Sequence, residues 1–454
     1  MRAGAANFVI LGGVLDRLFH LTENRTTVRG EVVGGLTTFL TMAYIVFVQP
    51  AVLSAAGMDT GAVLVATCLS SGIATLLMAG LANYPIAVAP AMGHNFFFAY
   101  TVVVGMHVPW QVALGGVATA GVIFILTAGV GLRERLISAI PDSLKSAMAV
   151  GIGLLVALIG LEWGGLVVAS PGTFVTLGNL KSPAALLTLF GLLVTAVLVA
   201  RQVRGALLIG ILASTSVGLG VGLVHYEGLV GAPPSLAPTF MQLDIVGALR
   251  PSMILVIFVF FFLALFDSVG TLVGVAGQAG LLRDGTLPRA RQALLADAIG
   301  TVIGAGLGTS TVTAYIESAT GVAAGARTGL ANVVTASLFF LSLFLFPLVR
   351  MIGGGHPVEG GRILYPVVAP ALVLVGTLMM PAVRAVAWDD PTEAIPAFLT
   401  IVIMPLAVSI TEGISFGFIS YAVLKLATGR RSDAHALVYV FALLFVARYA
   451  FLTS

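Results

Sequence analysis

Charge is scarce in this chain: Asp, Glu, Lys and Arg make up 9% of its 454 residues, against about 25% in soluble domains. Hydrophobic residues supply 59% of the sequence and the mean hydropathy is +1.09, which excludes a soluble globule of this length. Cysteine is almost absent. With Cys68 alone there is no intrachain disulfide and no cysteine cluster for a metal, so a small buried packing residue is its simplest reading. Histidines at 20, 94, 107, 225, 356 and 435 are scattered, with no pair at metal-ligand spacing. Period-two alternation is missing as well, and that excludes a β-barrel.

What is present is a series of apolar stretches near the length that crosses hydrocarbon as helix, about 20 residues. They run at 30–53, 61–82, 84–105, 109–131, 143–163, 183–200 and 204–224. The second half repeats the count at 251–276, 291–307, 309–326, 328–349, 363–381, 393–410 and 412–428. The expected fold is an all-α polytopic membrane protein of about 14 transmembrane segments. Residues 1–29 are polar or mixed and lead into the first span, so no cleavable signal is expected. A connecting loop with an amphipathic stretch is expected at 225–250, and a C-terminal apolar segment at 429–454. Its stretch 434–452 either adds a span or lies along the surface.

Basic residues mark the cytoplasmic loops of such proteins. With the N-terminus cytoplasmic, 17 of the 22 fall inside, among them Arg2, Arg17, Arg133, Arg135, Lys145, Arg283, Arg327 and Arg430. Lys181, Arg250, Arg350 and Arg362 fall outside, and Arg448 lies in the terminal stretch. The net charge of +3 therefore reflects loops in a cell membrane (plasma or inner) and its lipid, with no nucleic-acid partner expected.

Seven spans per half is an odd number, so the second half (251–428) enters from the opposite side to the first (30–224). That arrangement is an inverted repeat. The third span is broken by Pro85, Pro90 and Gly93, and the tenth is weakened by Gly308, Thr311, Val312, Thr313 and Gly321. Interruptions at corresponding places in two halves point to a site at mid-membrane. The 54 glycines fit close helix packing in lipid.

Two acids stand in such segments: Asp267 after the apolar run 253–266, and Glu317 beside Thr313, Tyr315 and Ser318. A carboxylate at that depth costs about 3 kcal/mol on insertion scales, so it normally faces a cavity, a partner or a substrate. The bland alternative is a structural acid bonded to helix ends or hydroxyls. Asn95 offers donors and an acceptor that match a heterocycle edge, or it caps a half-helix. His94 either relays a proton or is hydrogen-bonded packing. Among Phe96, Phe97 and Phe98, one ring could stack on a flat ligand while the others pack. Asp297 reads as packing or a helix end, Glu412 as a residue of a short exposed turn, and Glu31 and Glu162 as span-end residues that reach water. Arg327 reads as a cytoplasmic-side anchor.

With these residues in view, the chain resembles a nucleobase–cation symporter of the nucleobase–ascorbate superfamily, most closely the azaguanine-type purine permeases. The resemblance covers almost the whole chain, through GEVVGGLTTFLTMAYIVFVQPAVL, APAMGHNFFFAY, FFFLALFDSVGTLVGV, STVTAYIESATGVAAGARTGL and DDPTEAIPAFLTIVIMPL. It implies two inverted seven-segment repeats, a core domain (segments 1–4 and 8–11) and a gate domain (segments 5–7 and 12–14). It also implies short extended stretches in segments 3 and 10 that meet at the substrate. By motif, Asp267 matches the acid of segment 8, Glu317 the acid of segment 10 with Tyr315 two residues before it, and Asn95 the polar residue of segment 3. Two departures stand out. His94 replaces an apolar residue, which puts substrate preference in doubt, and Thr271 stands where uracil-type relatives carry His, which argues against a pyrimidine carrier.

The expected function is import of a purine nucleobase (hypoxanthine, guanine or adenine) by symport, with no enzyme chemistry and no organic cofactor. A proton is the expected coupling ion, with sodium as the alternative. Asp267, Glu317, Asn95, Tyr315, Phe96 and Thr271 are the expected substrate contacts, and Glu317, Asp267 and His94 the proton-coupling candidates. Rivals are a carrier of xanthine, urate or uracil, and an anion carrier of the sulfate-type fold, which has less need of two acids. An intramembrane aspartyl protease lacks its Gly-x-Gly-Asp string here. A homodimer is one assembly left open.

Overall fold

The computed structural model describes residues 14–130, 140–282, 287–358 and 362–451. Arg2, Arg133, Arg135 and Arg283 lie outside them. Helices α1 (Val28–Met42), α2 (Ile45–Ser54) and α3 (Thr60–Leu81) are followed by strand β1 (Val88–Pro90) and helix α4 (Met92–Phe96), which continues as a wider π-helix over Phe97–Gly105. Next come α5 (Trp110–Val130), α6 (Asp142–Trp163), the hairpin β2 (Val167–Ser170) and β3 (Phe174–Leu177), α7 (Pro183–Ala200) and α8 (Ala206–Gly220). The second half holds α9 (Ile254–Gln278), α10 (Ala290–Leu307), β4 (Val312–Ala314), α11 (Ser318–Ala323), α12 (Gly329–Leu341) and α13 (Phe346–Gly353). It closes with α14 (Ala369–Met379), α15 (Pro391–Leu406), α16 (Ile410–Ala427) and α17 (Ala436–Phe451). Among the described residues, eight helical stretches are long and apolar enough to cross a membrane, and shorter apolar helices lie at Ala206–Gly220, Ala369–Ala385, Pro391–Leu406 and Ala436–Ala450. The chain is a multi-pass membrane protein.

The two halves meet in β1 and β4, which pair antiparallel with Val88 opposite Ala314, Ala89 opposite Thr313 and Pro90 opposite Val312. Two strands alone leave outer backbone groups without partners, a costly state at depth in lipid. The same device serves both strands. Thr75 Oγ1 on α3 lies 3.0 Å from both the N–H and the carbonyl of Val88. Thr301 Oγ1 on α10 does the same for Val312, at 3.3 and 2.8 Å. Each threonine sits on the helix preceding its strand, so the clamps are related by the pseudo-twofold that relates the repeats.

The helices pack as two groups. In one, α3 packs on α10, α12 and α2, with α5 against α9 and α10 and α1 against α11 and α12. In the other, α6 packs on α14, α15 and α16, with α7 against α8 and α14. Close approach in the first group depends on glycine: a Cβ on Gly35 would lie 2.3 Å from the Ala331 carbonyl oxygen.

Two expectations about charged residues change here, and the terminal stretch finds its place. Glu31 does not reach water but is fully buried, accepting from the N–H groups of Arg327 (2.8 Å), Thr328 (3.3 Å) and Ala331 (3.1 Å). It caps α12 across 296 positions of sequence, because the first turn of a helix leaves N–H groups unpaired and favours negative charge. Glu412 is not in an exposed turn either. It lies in the first turn of α16, ion-paired to Arg448 Nη1 at 2.6 Å and bonded by the Tyr449 hydroxyl. That pair, with Phe418 against Phe441 and Phe445, sets α17 antiparallel beside α16, so the terminal segment runs alongside a span instead of across a surface. In the 225–250 connection, Ile245–Ala248 form a single turn of helix.

A buried cation lies at the junction of α15 and α16. Lys425, 1% exposed, is 2.9 Å from Glu393 and donates to Thr392 Oγ1 at 2.8 Å. Next to it Asp390 caps α15, and hydrogen bonds from Thr392 and Arg430 hold its carboxyl down to about 2. Its contribution is complete above the ordinary carboxylate range and is lost only as pH falls through about 2, so this cap is silent between pH 4 and 8.

Removing one partner from such contacts leaves a buried group unpaired. Glu31→Ala is expected to destabilise the solubilised protein by about 2 kcal/mol. Glu393→Ala, which strands Lys425, is expected to cost about 3 kcal/mol. Both are read by thermal unfolding in detergent.

Candidate functional site

The strand crossing places its neighbours around one cavity of about 610 Å³. Asp267, Thr271, Phe262 and Phe266 line it from α9, and Thr313, Tyr315 and Glu317 from β4 and the turn after it. Tyr44 enters from the α1–α2 junction, His94 from α4, and Ile152 and Lys145 from α6. The cavity thus lies between the two helix groups.

Asp267 stands well inside α9, with its side chain open to the cavity. Thr313 donates to its Oδ2 at 2.9 Å. Glu317 is only partly accessible, and the Tyr44 hydroxyl donates to its Oε1 at 2.9 Å. Each acid therefore spends one oxygen on a hydroxyl donor, while among the described residues no other side chain engages the second oxygen. Tyr315 lines the cavity with its ring, but its hydroxyl is committed across the strand pair to the Pro90 carbonyl at 2.5 Å. Thr271 lies one turn after Asp267 and is nearly buried. His94 reaches the cavity, 4% exposed, with the Leu263 backbone beside its ring.

Two expected contacts sit elsewhere. Asn95 is fully buried behind the strands, where its Oδ1 accepts from Ser310; Gln49 Nε2 donates to Thr309 Oγ1 at 2.9 Å in the same network. Asn95 thus bonds a side-chain hydroxyl and caps no half-helix backbone among the described residues. Phe96 does not line the cavity: its ring stacks on Tyr100 at 5.8 Å and meets Trp163 at 6.5 Å. The phenylalanine rings on the cavity wall, beside those of Tyr44 and Tyr315, are instead Phe262 and Phe266, 4.5 Å apart. Their spacing of four residues puts both on one helix face, a signal readable in FVFFFLALFD had the period been followed.

Asp297 was expected to serve packing or a helix end, and it lies directly under the site. It is fully buried on α10 and accepts from Ser268, the neighbour of Asp267. Tyr44 was not singled out in the sequence at all, since nothing local marks a tyrosine that meets its acid 273 positions away.

On the side of the cavity away from Lys145, aromatic rings close the gap between the groups. Trp163 of α6 donates to the Tyr100 hydroxyl at 2.9 Å and packs on Tyr365 at 4.5 Å. Beyond Tyr365 a second cavity of about 670 Å³ is lined by Asp59, Glu227 and Arg350, the last two ion-paired at 3.1 Å.

A family model described as a permease family, Xan_ur_permease, matches residues 29–446. The chain belongs to this permease family. A permease of Methanocaldococcus jannaschii is 49% identical over 442 residues, 97% of this chain and 99% of that one. The adenine permease AdeP of Escherichia coli is 45% identical, covering 97% of each chain. The guanine/hypoxanthine permease PbuG of Bacillus subtilis is 44% identical over 96% of this chain and all of its own. Among solved structures, the transmembrane domain of the cyanobacterial bicarbonate transporter BicA matches with a TM-score of 0.61 at 16% identity, over 85% of this chain and 97% of that one. The SLC26A9 structure also reaches 0.61 at 13% identity, over 94% of this chain and 70% of that one. The fold of the permease is therefore that of these carriers, built from inverted repeats, and its family is one of transporters and not of enzymes.

In the permease, Ser268 is the one side-chain donor to Asp297 among the described residues. Ser268→Ala is expected to leave that buried acid without a side-chain donor and lower stability by about 2 kcal/mol. Thermal unfolding of the detergent-solubilised variant measures it.

Proposed function

We propose that this permease carries purine nucleobases across the cell membrane by proton symport. The observation that carries the reading is the pair of acids, Asp267 and Glu317, that face one cavity with an oxygen each left for a ligand. A purine is neutral and flat, with N–H groups on its edges that a carboxylate oxygen can accept. The cavity volume fits a small ligand, and Phe262 and Phe266 offer ring faces. The similar proteins named for adenine and for guanine/hypoxanthine stand at nearly equal identity, so both kinds of purine belong to the proposal.

In this reading Asp267 holds the base, and Glu317 holds its far edge or takes the proton; the roles are exchangeable because neighbouring acids titrate as a pair. His94, which lines the same cavity, is a further proton-coupling candidate. Sodium is the alternative coupling ion. The helix group holding α1–α5 and α9–α13 acts as the core and that holding α6–α8 and α14–α16 as the gate. The cavity reaches the Lys145 end of α6, which the basic-residue count makes cytoplasmic, while the Trp163–Tyr100 contact closes the other end. This supports an inward-facing state of an alternating-access cycle. An anion carrier is disfavoured by the same two acids, which would repel its cargo.

Uptake of labelled hypoxanthine, guanine and adenine by purine-transport-deficient cells tests the proposal. Uptake should collapse with a protonophore and resist competition by uracil. Asp267→Asn and Glu317→Gln should each lower it by about tenfold or more at equal surface amounts. Glu317→Gln with intact accumulation and proton coupling would remove that residue from its role.

A further inference from the structure

The first membrane segment is interrupted between α1 and α2, and Tyr44 stands in the interruption. Its ring is 1% exposed and forms part of the cavity wall. The surrounding hydroxyls hold it in place. Thr41 Oγ1, 2.8 Å from the carbonyl of Thr38, lies 3.0 Å from Thr320 Oγ1 on α11, and one of these two hydroxyls donates to the other. The Thr320 hydroxyl also lies 2.7 Å from the Glu317 carbonyl. Segment 1 is thereby pinned to the turn that carries Glu317, and the contact of the Tyr44 hydroxyl with Glu317 Oε1 is held from both sides.

A phenol has one proton to donate, and here it goes to Glu317. The Thr313 hydroxyl has likewise spent its proton on Asp267. Towards the cavity both hydroxyl–carboxylate pairs therefore present acceptors. Resting on the purine reading above, we propose that Tyr44 is a positioning residue that sets specificity. It holds one oxygen of Glu317 so that the other faces the cavity as a fixed acceptor for an N–H edge of the base. A base whose N–H at that edge is methylated loses the bond and leaves the acid unpaired, so the fixed acceptor discriminates against it. Without the tether, the Glu317 side chain has rotamers in which that edge is no longer read.

The test compares Tyr44→Phe, which removes only the hydroxyl, with the unaltered permease. Initial rates of purine uptake are measured at equal surface amounts, with N-methylated purines as competitors. The expected result is a KM raised about tenfold, a maximal rate within about twofold, and discrimination against the methylated purines reduced about tenfold. In a Glu317→Gln background, the added loss should be below about twofold, since the tethered group is already altered. A packing role alone would lower the folded amount and the maximal rate and leave KM and discrimination unchanged, and that result overturns the proposal. If the phenylalanine variant fails to reach the membrane, Tyr44→Gln, which keeps a donor, is compared with Tyr44→Leu, which has none. Equal KM and equal discrimination in those two also overturn it. If the unaltered permease takes up no purine, the purine reading fails and this inference falls with it. Purine uptake with Tyr44→Phe kinetics unchanged removes the inference alone.

Discussion

Backbone polar groups at depth in a membrane have no water to turn to, and the centre of this permease is arranged around that constraint. Segments 3 and 10 give up helix where they cross, so β1 and β4 must satisfy each other and still account for their outer edges. Thr75 and Thr301 do so with one hydroxyl each, bonding both backbone groups of Val88 and Val312. Once the strands are anchored, the turns that follow them carry His94 and Glu317 to the cavity from opposite repeats. The site is a consequence of how the broken backbone is repaired.

The same accounting governs the charges. Glu31 caps a helix from the other half of the chain, Lys425 is enclosed by Glu393 and Thr392, and Glu412 fastens the terminal helix through Arg448. Each of these pairs holds together elements that an apolar interior alone would leave free to slide, because lipid tails are as apolar as the helices themselves. Asp267 and Glu317 differ from them in facing a cavity with an oxygen to spare. That difference separates acids that assemble the permease from acids that can serve a ligand.

The division into two helix groups also accounts for where the cavity closes. Trp163 reaches from α6 to the Tyr100 hydroxyl, and Tyr365 covers it from the start of segment 12. The contacts across the boundary, the Trp163–Tyr100 hydrogen bond and the edge-on meeting of Trp163 with Phe96, can part without leaving buried charges behind, which suits a contact made and broken repeatedly. The ion pair of Glu227 with Arg350 lies on the far side of Tyr365, lining the second cavity.

Much of this was legible in the chain itself. The span pattern, the interruptions of segments 3 and 10 and the two acids at depth all follow from local features: apolar run length, Pro85 and Pro90, and the cost of a carboxylate in hydrocarbon. A residue's direction around the site was not local. Asn95 and Phe96 sit one and two positions past His94, and on a helix such neighbours point about 100° and 200° away; only His94 faces the cavity. Tyr44, Glu31 and Asp297 take their meaning from partners 273, 296 and 29 positions distant. Sequence alone determined that this is a multi-pass membrane protein with acids where lipid would reject them, because burial cost and helix breaking depend on nearest neighbours. Which acids face a ligand and which hold the helices together was decided only by tertiary packing, since that depends on what arrives from the other repeat.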